Sequence, residues 1–198
     1  MSVLVLVKHA LPQIDPMVPA NQWRLSEEGQ HFSQVLAQRL AQYELDLIFS
    51  SVEPKAIETA QIVATALEKP FEVVKDLHEH DRNSVGFLEK KRFEASVAQF
   101  FNQPDLLTFG NETANQAHHR FSRAVMGIIE KYTDKNIVLI THGTVLTLFV
   151  SRLVGIEPFA FWKDLELPSW VVLSHPDLGL RSVCKSINNE NANGGNRS

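Results

Sequence analysis

Two histidines stand where short β-branched runs end: His9 closes Val3-Leu4-Val5-Leu6-Val7-Lys8, and His142 closes Ile137-Val138-Leu139-Ile140-Thr141. If both runs are strands of an open α/β sheet, both imidazoles reach the crevice beyond the carboxyl ends, where such sheets bind ligands. Two more segments bring chemistry to the same rim. Ser50-Ser51 precede a helix with Lys55 in its first turn, and Leu77-His78-Glu79-His80-Asp81-Arg82 follows a third candidate strand. Histidines, lysines, a carboxylate and an arginine on one rim suit phosphoryl transfer. That reaction needs a nucleophile, cations for the equatorial oxygens and an acid for the leaving oxygen. Gly143-Thr144, opening the helix after His142, adds free N–H groups that favour an anion.

The elements that position these residues alternate in type. Strands are expected at residues 3–9, 45–51, 71–77, 137–142 and 170–175, with a last one at 180–187. Most are apolar on both faces, as strands covered by helices on both sides should be. Between them run segments of helical period. Ser26-Glu27-Glu28-Gly29 supplies an N-cap and an acidic first turn before Phe32, Val35, Leu36 and Leu40. A second helix starts near Pro54, and a third runs from about residue 113 to 132 with Ala117, Phe121, Ala124, Val125, Ile128 and Ile129 on one stripe. The expected fold is α/β, a mostly parallel sheet with helices on both faces, formed by one domain over residues 1–187. Residues 78–110 break the alternation with Gly86-Phe87, Lys90-Lys91-Arg92 and a short helical stretch at 93–101, and read as an insertion or lid beyond the third strand. The Asn- and Gly-rich tail at 188–198 cannot bury anything and is expected to be disordered.

Composition narrows the class. The chain has 198 residues, 44% hydrophobic and 21% charged, the usage of a soluble globular protein. A net charge of −4 argues against a nucleic-acid partner. A single cysteine, Cys184, cannot form an internal disulfide and suits a cytoplasmic location. Its alternating setting, Leu180-Arg181-Ser182-Val183-Cys184-Lys185, reads as an edge strand and gives the thiol a structural role. The Val3 to Val7 run is too short for a signal peptide and lacks a basic leader, and no stretch is long enough to span a membrane. His78-Glu79-His80-Asp81 has the alternating histidines of a metal site, but Asp81 falls one place early for a two-metal hydrolase pattern. No metal is expected.

Val7-Lys8-His9-Ala10 resembles the Arg-His-Gly motif of the histidine phosphatase superfamily, the phosphoglycerate-mutase-like fold. Ser50-Ser51-Val52-Glu53-Pro54-Lys55-Ala56-Ile57-Glu58-Thr59-Ala60 is similar to that family's second motif, Leu77-His78-Glu79 to its acid-bearing motif, and Thr141-His142-Gly143 to its late His-Gly. Leu25-Ser26-Glu27-Glu28-Gly29 and Gly110-Asn111-Glu112-Thr113 with Arg120 are weaker echoes. The resemblance implies a phosphomonoester hydrolase working through a phosphohistidine, with no cofactor. His9 would be the nucleophile, Glu79 the general acid with His80 or Asp81 as alternatives, and Lys8, Lys55 and His142 the phosphate pocket. The expected ligand is a phosphorylated small molecule or a phosphoprotein.

Three departures accompany the resemblance. Lys8 and Lys55 stand where the family uses arginines, and a flexible point charge replaces a planar fork that grips two oxygens. A catalytically weak or inactive phosphate-binding member of the same fold is therefore the alternative reading. Ala10 replaces glycine and asks for a permissive backbone angle. Ala10-Leu11-Pro12-Gln13 lacks the Ser/Thr and Asn of sugar-phosphate mutases, which argues against mutase activity.

Overall fold

The structure is a computed structural model and describes residues 2–188. Its strands are β1 (Ser2–Lys8), β2 (Leu47–Ser50), β3 (Phe71–Val73), β4 (Ile137–Thr141), β5 (Ser169–His175) and β6 (Leu180–Cys184). Its longer helices are α1 (Glu27–Leu40), α2 (Pro54–Leu67), α3 (Lys90–Asn102), α4 (Ala114–Lys131), α5 (Gly143–Val154) and α6 (Pro158–Asp164). The strands form one sheet in the order β3-β2-β4-β1-β5-β6, parallel from β3 to β1 and antiparallel from β1 to β6. The fold is α/β with a mostly parallel sheet, as its sequence pattern implies. Of the tail expected to be disordered, residues 188–198, Asn188 lies in a turn with its N–H 3.3 Å from Ser186 Oγ, and residues 189–198 lie outside the described part.

The continuous apolar runs are explained by burial on both faces. Along β1, Leu4 and Leu6 face one core with α3, α4 and α5, while Val3, Val5 and Val7 face a second with α1 and α2. The parallel β1–β4 register sets Lys8 against Thr141. The next residue of each strand is a histidine, so sheet pairing alone brings His9 beside His142.

Two expectations about strands need correction. The third strand stops at Val73 instead of running to Leu77. It is an edge strand with a mostly exposed pattern; Val74 N–H makes a last bond to Ser50 O, and the chain turns at Asp76, whose φ is +73°. Beyond the turn, Arg120 replaces the ladder by donating to the carbonyls of Asp76, His78 and Glu79 at 2.9, 3.0 and 3.2 Å. The last strand ends at Cys184, short of 187. Within residues 78–110 the helix spans Lys90–Asn102, and its Val97, Phe100 and Phe101 lie in the main core. This segment is thus anchored by one face of its helix and by the buried His80 and Phe109 of its loops.

Gly29 has a packing reason to lack a side chain. A Cβ there would sit 2.0 Å from Leu11 O, because Ser26 N and Oγ both bond that carbonyl (3.1 Å each) and hold α1 against the loop that follows His9. Gly29→Ala therefore has to shift backbone and should cost about 1–3 kcal/mol. Gly127, in α4 with nothing within 4 Å of its Cβ position, should gain about 0.5–1 kcal/mol on conversion to Ala. Urea unfolding of the two variants measures both signs, and equal effects would contradict this packing account.

Candidate active site

Four backbone-defined corners meet at the carboxyl ends of β1, β2 and β4. His9 N–H donates to Thr141 O at 3.0 Å, and the Thr141 hydroxyl donates to Leu77 O at 2.7 Å, tying the corners that carry His9, His142 and Glu79. Thr59 fixes the loop after His9 from the other side. Its hydroxyl accepts from Ala10 N–H at 3.1 Å and donates to Lys55 O at 2.7 Å. Ala10 O in turn lies 2.7 Å from His9 Nδ1, which assigns the ring proton to Nδ1 and leaves Nε2 with a lone pair. Ala10 is fully buried and is not among the residues with positive φ, so replacing glycine introduces no backbone strain.

His9 and His142 pack edge to face with ring centroids 5.1 Å apart. Burial pushes both imidazoles well below the ordinary histidine range, reinforced for His9 by His142, Lys55 and Lys8 and for His142 by Lys55 and Arg82. Both rings are therefore neutral at pH 7. His142 Nε2 is 2.7 Å from Ser51 Oγ, and its Nδ1 is buried without a partner.

The free N–H groups of α5 are already occupied. This helix start is wholly buried, and His142 at its N-cap makes no side-chain cap. A buried helix end needs acceptors, and Glu79 supplies them: Oε2 accepts from Thr144 N–H (3.1 Å) and Oε1 from Val145 N–H (3.2 Å) and His80 N–H (2.9 Å). Burial raises the Glu79 pKa, but His142, Arg82 and the amides of His80 and Thr144 outweigh it and hold the carboxyl below its usual value. Of its alternatives as acid, His80 is buried with its ring 4.0 Å from Phe100, and Asp81 accepts from Asn83 N–H and Asn111 Nδ2 at the rim. His78 and His80 do not converge, and among the described residues no group of three or more His, Cys, Asp or Glu side chains is arranged to hold a metal. His118 and His119 on α4 stay outside the cavity.

The two lysines are engaged as well. Lys8 Nζ donates to Leu165 O at 2.6 Å, and its Cε and Nζ fill the space a Cβ on Gly143 would need, at 3.0 and 3.4 Å. Burial brings its pKa down to about 8 against the opposing pull of Glu79 and Glu166. Lys55 Nζ donates to Ala20 O at 2.7 Å and to Glu53 Oε2 at 2.5 Å.

Two residues were not singled out by sequence reasoning. Glu53 is buried between the corners: Oε1 accepts from Glu79 N–H at 2.9 Å and lies 3.6 Å from His142 Nε2, while Oε2 pairs with Lys55. The signal was an acid two places before the motif lysine. Arg82 was seen only as part of a run. Its guanidinium lies 4.8 Å from the Phe93 ring centroid, its Nη1 is buried with no partner, and it lines a cavity of about 670 Å³ with Glu53, Lys55 and Glu79. Arg120, part of a weaker echo of the family pattern in the sequence, grips Glu112 through Nη2 at 2.6 Å and Nε at 3.2 Å and splints the Glu79 corner.

The sequence model of the histidine phosphatase superfamily (branch 1) matches residues 6–188. This chain belongs to that superfamily. It is 24% identical over 170 residues to phosphoserine phosphatase 1 of Hydrogenobacter thermophilus, covering 81% of this chain and 80% of that one. It is 31% identical over 137 residues to phosphoglycerate mutase-like protein 4 of Arabidopsis thaliana, covering 65% of this chain and 59% of that one. Among solved structures, mycobacterial glucosyl-3-phosphoglycerate phosphatase superimposes with a TM-score of 0.75 at 18% identity, covering 93% and 99% of the two chains. Phosphoserine phosphatase of Entamoeba histolytica, in complex with 3-phosphoglyceric acid, gives 0.76 at 18% identity, covering 94% and 98%. These likenesses establish the fold.

The buried Lys8 yields a pH prediction. Its folded pKa of about 8 lies below the ordinary 10.5, so the folded chain binds fewer protons than the unfolded chain between those values, and its contribution to stability rises with pH there. Lys8→Met should be the more stable form near pH 7.5, and the parent should recover on the order of 2–3 kcal/mol of that difference by about pH 10. Urea midpoints of both forms at the two pH values test the sign; a constant difference would place the ammonium in a solvated setting.

Proposed function

We propose that this protein is a phosphomonoester hydrolase that acts through a phosphohistidine at His9. One observation carries the reading: His9 is neutral, its Nδ1 is committed to Ala10 O, and Nε2 is left with its lone pair on a ring packed edge to face against His142, whose buried Nδ1 has no partner. Nε2 attacks phosphorus as the bond to the leaving oxygen breaks, and Glu79 gives that oxygen its proton. Water then attacks the phosphohistidine, the Nε2–P bond breaks, and Glu79 takes the water's proton as inorganic phosphate forms. In the empty pocket Glu79 is ionised. Its proton enters with the substrate monoanion, and the phosphoryl charge beside the carboxylate raises its pKa.

His142, Lys8 and Lys55 hold the phosphoryl oxygens in this reading. Arg82 supplies the guanidinium fork that positions 8 and 55 lack, using the buried N–H that has no partner in the free protein. Substrates are phosphorylated small molecules; phosphoprotein is the broader alternative. The second reading is a phosphate-binding protein without turnover, favoured by the engagement of both lysines by Leu165 O, Ala20 O and Glu53.

One kinetic panel separates these readings. His9→Ala should abolish both phenyl phosphate hydrolysis and acid-labile labelling of the protein. Glu79→Gln should slow an alkyl phosphate by roughly 10²–10⁴ and phenyl phosphate much less, because a better leaving group needs less proton transfer. Arg82→Lys should raise KM and lower kcat together. Hydrolysis by His9→Ala at the parent rate would overturn the mechanism, and phosphate binding with no turnover by the parent would establish the second reading.

A further inference from the structure

The cavity that opens over Glu53, Lys55 and Glu79 has a second character above its polar floor. Ile14, Met17, Val18, Val52 and Phe87 line it, and each is an exposed large apolar side chain; Met17 is 88% exposed and Ile14 59%. They come from three separate segments: the loop after β1, the β2–α2 corner and the loop before α3. Scattered exposed apolar residues are ordinary, but a cluster from unrelated segments around one concavity marks a ligand surface. At about 670 Å³ the cavity is far larger than a phosphoryl group requires, and falls in the range of small-molecule sites.

The acidic groups of the cavity are committed, whereas Arg82 Nη1, Asn21 Oδ1 and His80 Nε2 are buried without partners. Glu53 is paired with Lys55, Glu79 caps α5, and Asp81 is bonded to Asn111. Lys75 and Lys90 are exposed residues of the lining. Placed against Ile14, Met17, Val18, Val52 and Phe87, a carboxylate or ammonium on the leaving alcohol would lose water without gaining a partner from those side chains.

Resting on the phosphatase reading for the position of the phosphoryl group, we propose that the chain selects phosphomonoesters whose leaving alcohol is apolar, of aromatic or branched aliphatic type. The apolar alcohol occupies the wall formed by Ile14, Met17, Val18, Val52 and Phe87, and the phosphoryl group reaches the floor below.

Calorimetric titration of the full chain with phosphonates tests this without requiring turnover, so it stays distinct from the fate of the catalytic reading. 2-Phenylethylphosphonate should bind roughly fifty- to one-hundred-fold tighter than ethylphosphonate, the gain expected from burying a phenyl group. Its heat-capacity change should also be more negative. Met17→Asp and Val52→Asp should each cut that preference at least fivefold; both positions are exposed, so both variants should fold. Equal affinity for the two phosphonates would overturn the proposal. So would tighter binding of the phosphoserine analogue 2-amino-4-phosphonobutyrate, or of a phosphoseryl peptide.

Discussion

The parallel pairing of β1 with β4 is the constraint on which the rest of the site depends. Register opposes Lys8 to Thr141, so the two chains leave the sheet together and each delivers a histidine to the same spot. A slip of one residue would send every side chain of β1 to the other core. Leu4 and Leu6 facing one core and Val3, Val5 and Val7 facing the other make such a slip costly. The hydrogen bond from His9 N–H to Thr141 O continues the ladder past the strand end, so His9 is held with the rigidity of the sheet and not of a loop.

That dry position creates an electrostatic problem that the sequence answers with paired acids. Lys8, Lys55 and Arg82 surround two imidazoles that burial keeps neutral. Buried charges without partners are strongly destabilising, whereas paired ones come close to balancing. Glu53 and Glu79 provide the balance: the first meets Lys55, and the second occupies the helix start that would otherwise hold unsatisfied N–H groups. The free site is thus preset with internal anions. In the proposed reaction a phosphoryl monoanion enters among carboxylates, so its binding must be coupled to rearrangement of the Glu53–Lys55 pair or to transfer of its proton to Glu79.

Sequence pattern made the sheet and its chemistry legible for a physical reason. Strand runs buried on both faces leave an apolar signature, and the motif residues are also the braces: Thr59 holds Ala10, Gly29 admits Leu11 O, and Gly143 yields its volume to Lys8. Less legible was whatever depends on tertiary partners. The edge strand β3 ends early because Arg120, 44 residues away from Asp76, takes over its carbonyls. The antiparallel direction of β5 and β6 follows from connections that periodicity does not encode. Capping of α5 by Glu79 is a contact across 65 residues, and the burial of Glu53 depends on four corners meeting.

The exchange of arginine for lysine at positions 8 and 55 takes on a different meaning in this setting. A guanidinium at position 8 would be larger and strongly hydrogen-bonding, yet the space beside Lys8 Cε is already tight: a Cβ on Gly143 would lie 3.0 Å from it. At position 55 a compact ammonium fits between Ala20 O and Glu53 at 2.7 and 2.5 Å, in a gap where a planar fork would need a second acceptor in its plane. The lysines therefore suit a pocket whose buried acid has to be neutralised in the free state. Bidentate grip then has to come from outside this paired set, and Arg82 meets that requirement. Its guanidinium is supported by Phe93 on α3, one of its nitrogens is buried without a bond, and it lines the same cavity as Phe87 of residues 78–110 and Ile14, Met17, Val18 and Val52 of other segments. In the proposed reading, residues 78–110 add Arg82 and Phe87 to a site whose other parts come from the loop after β1, the β2–α2 corner and the sheet-borne histidines, so a change in that stretch alters the rim while the histidines stay fixed.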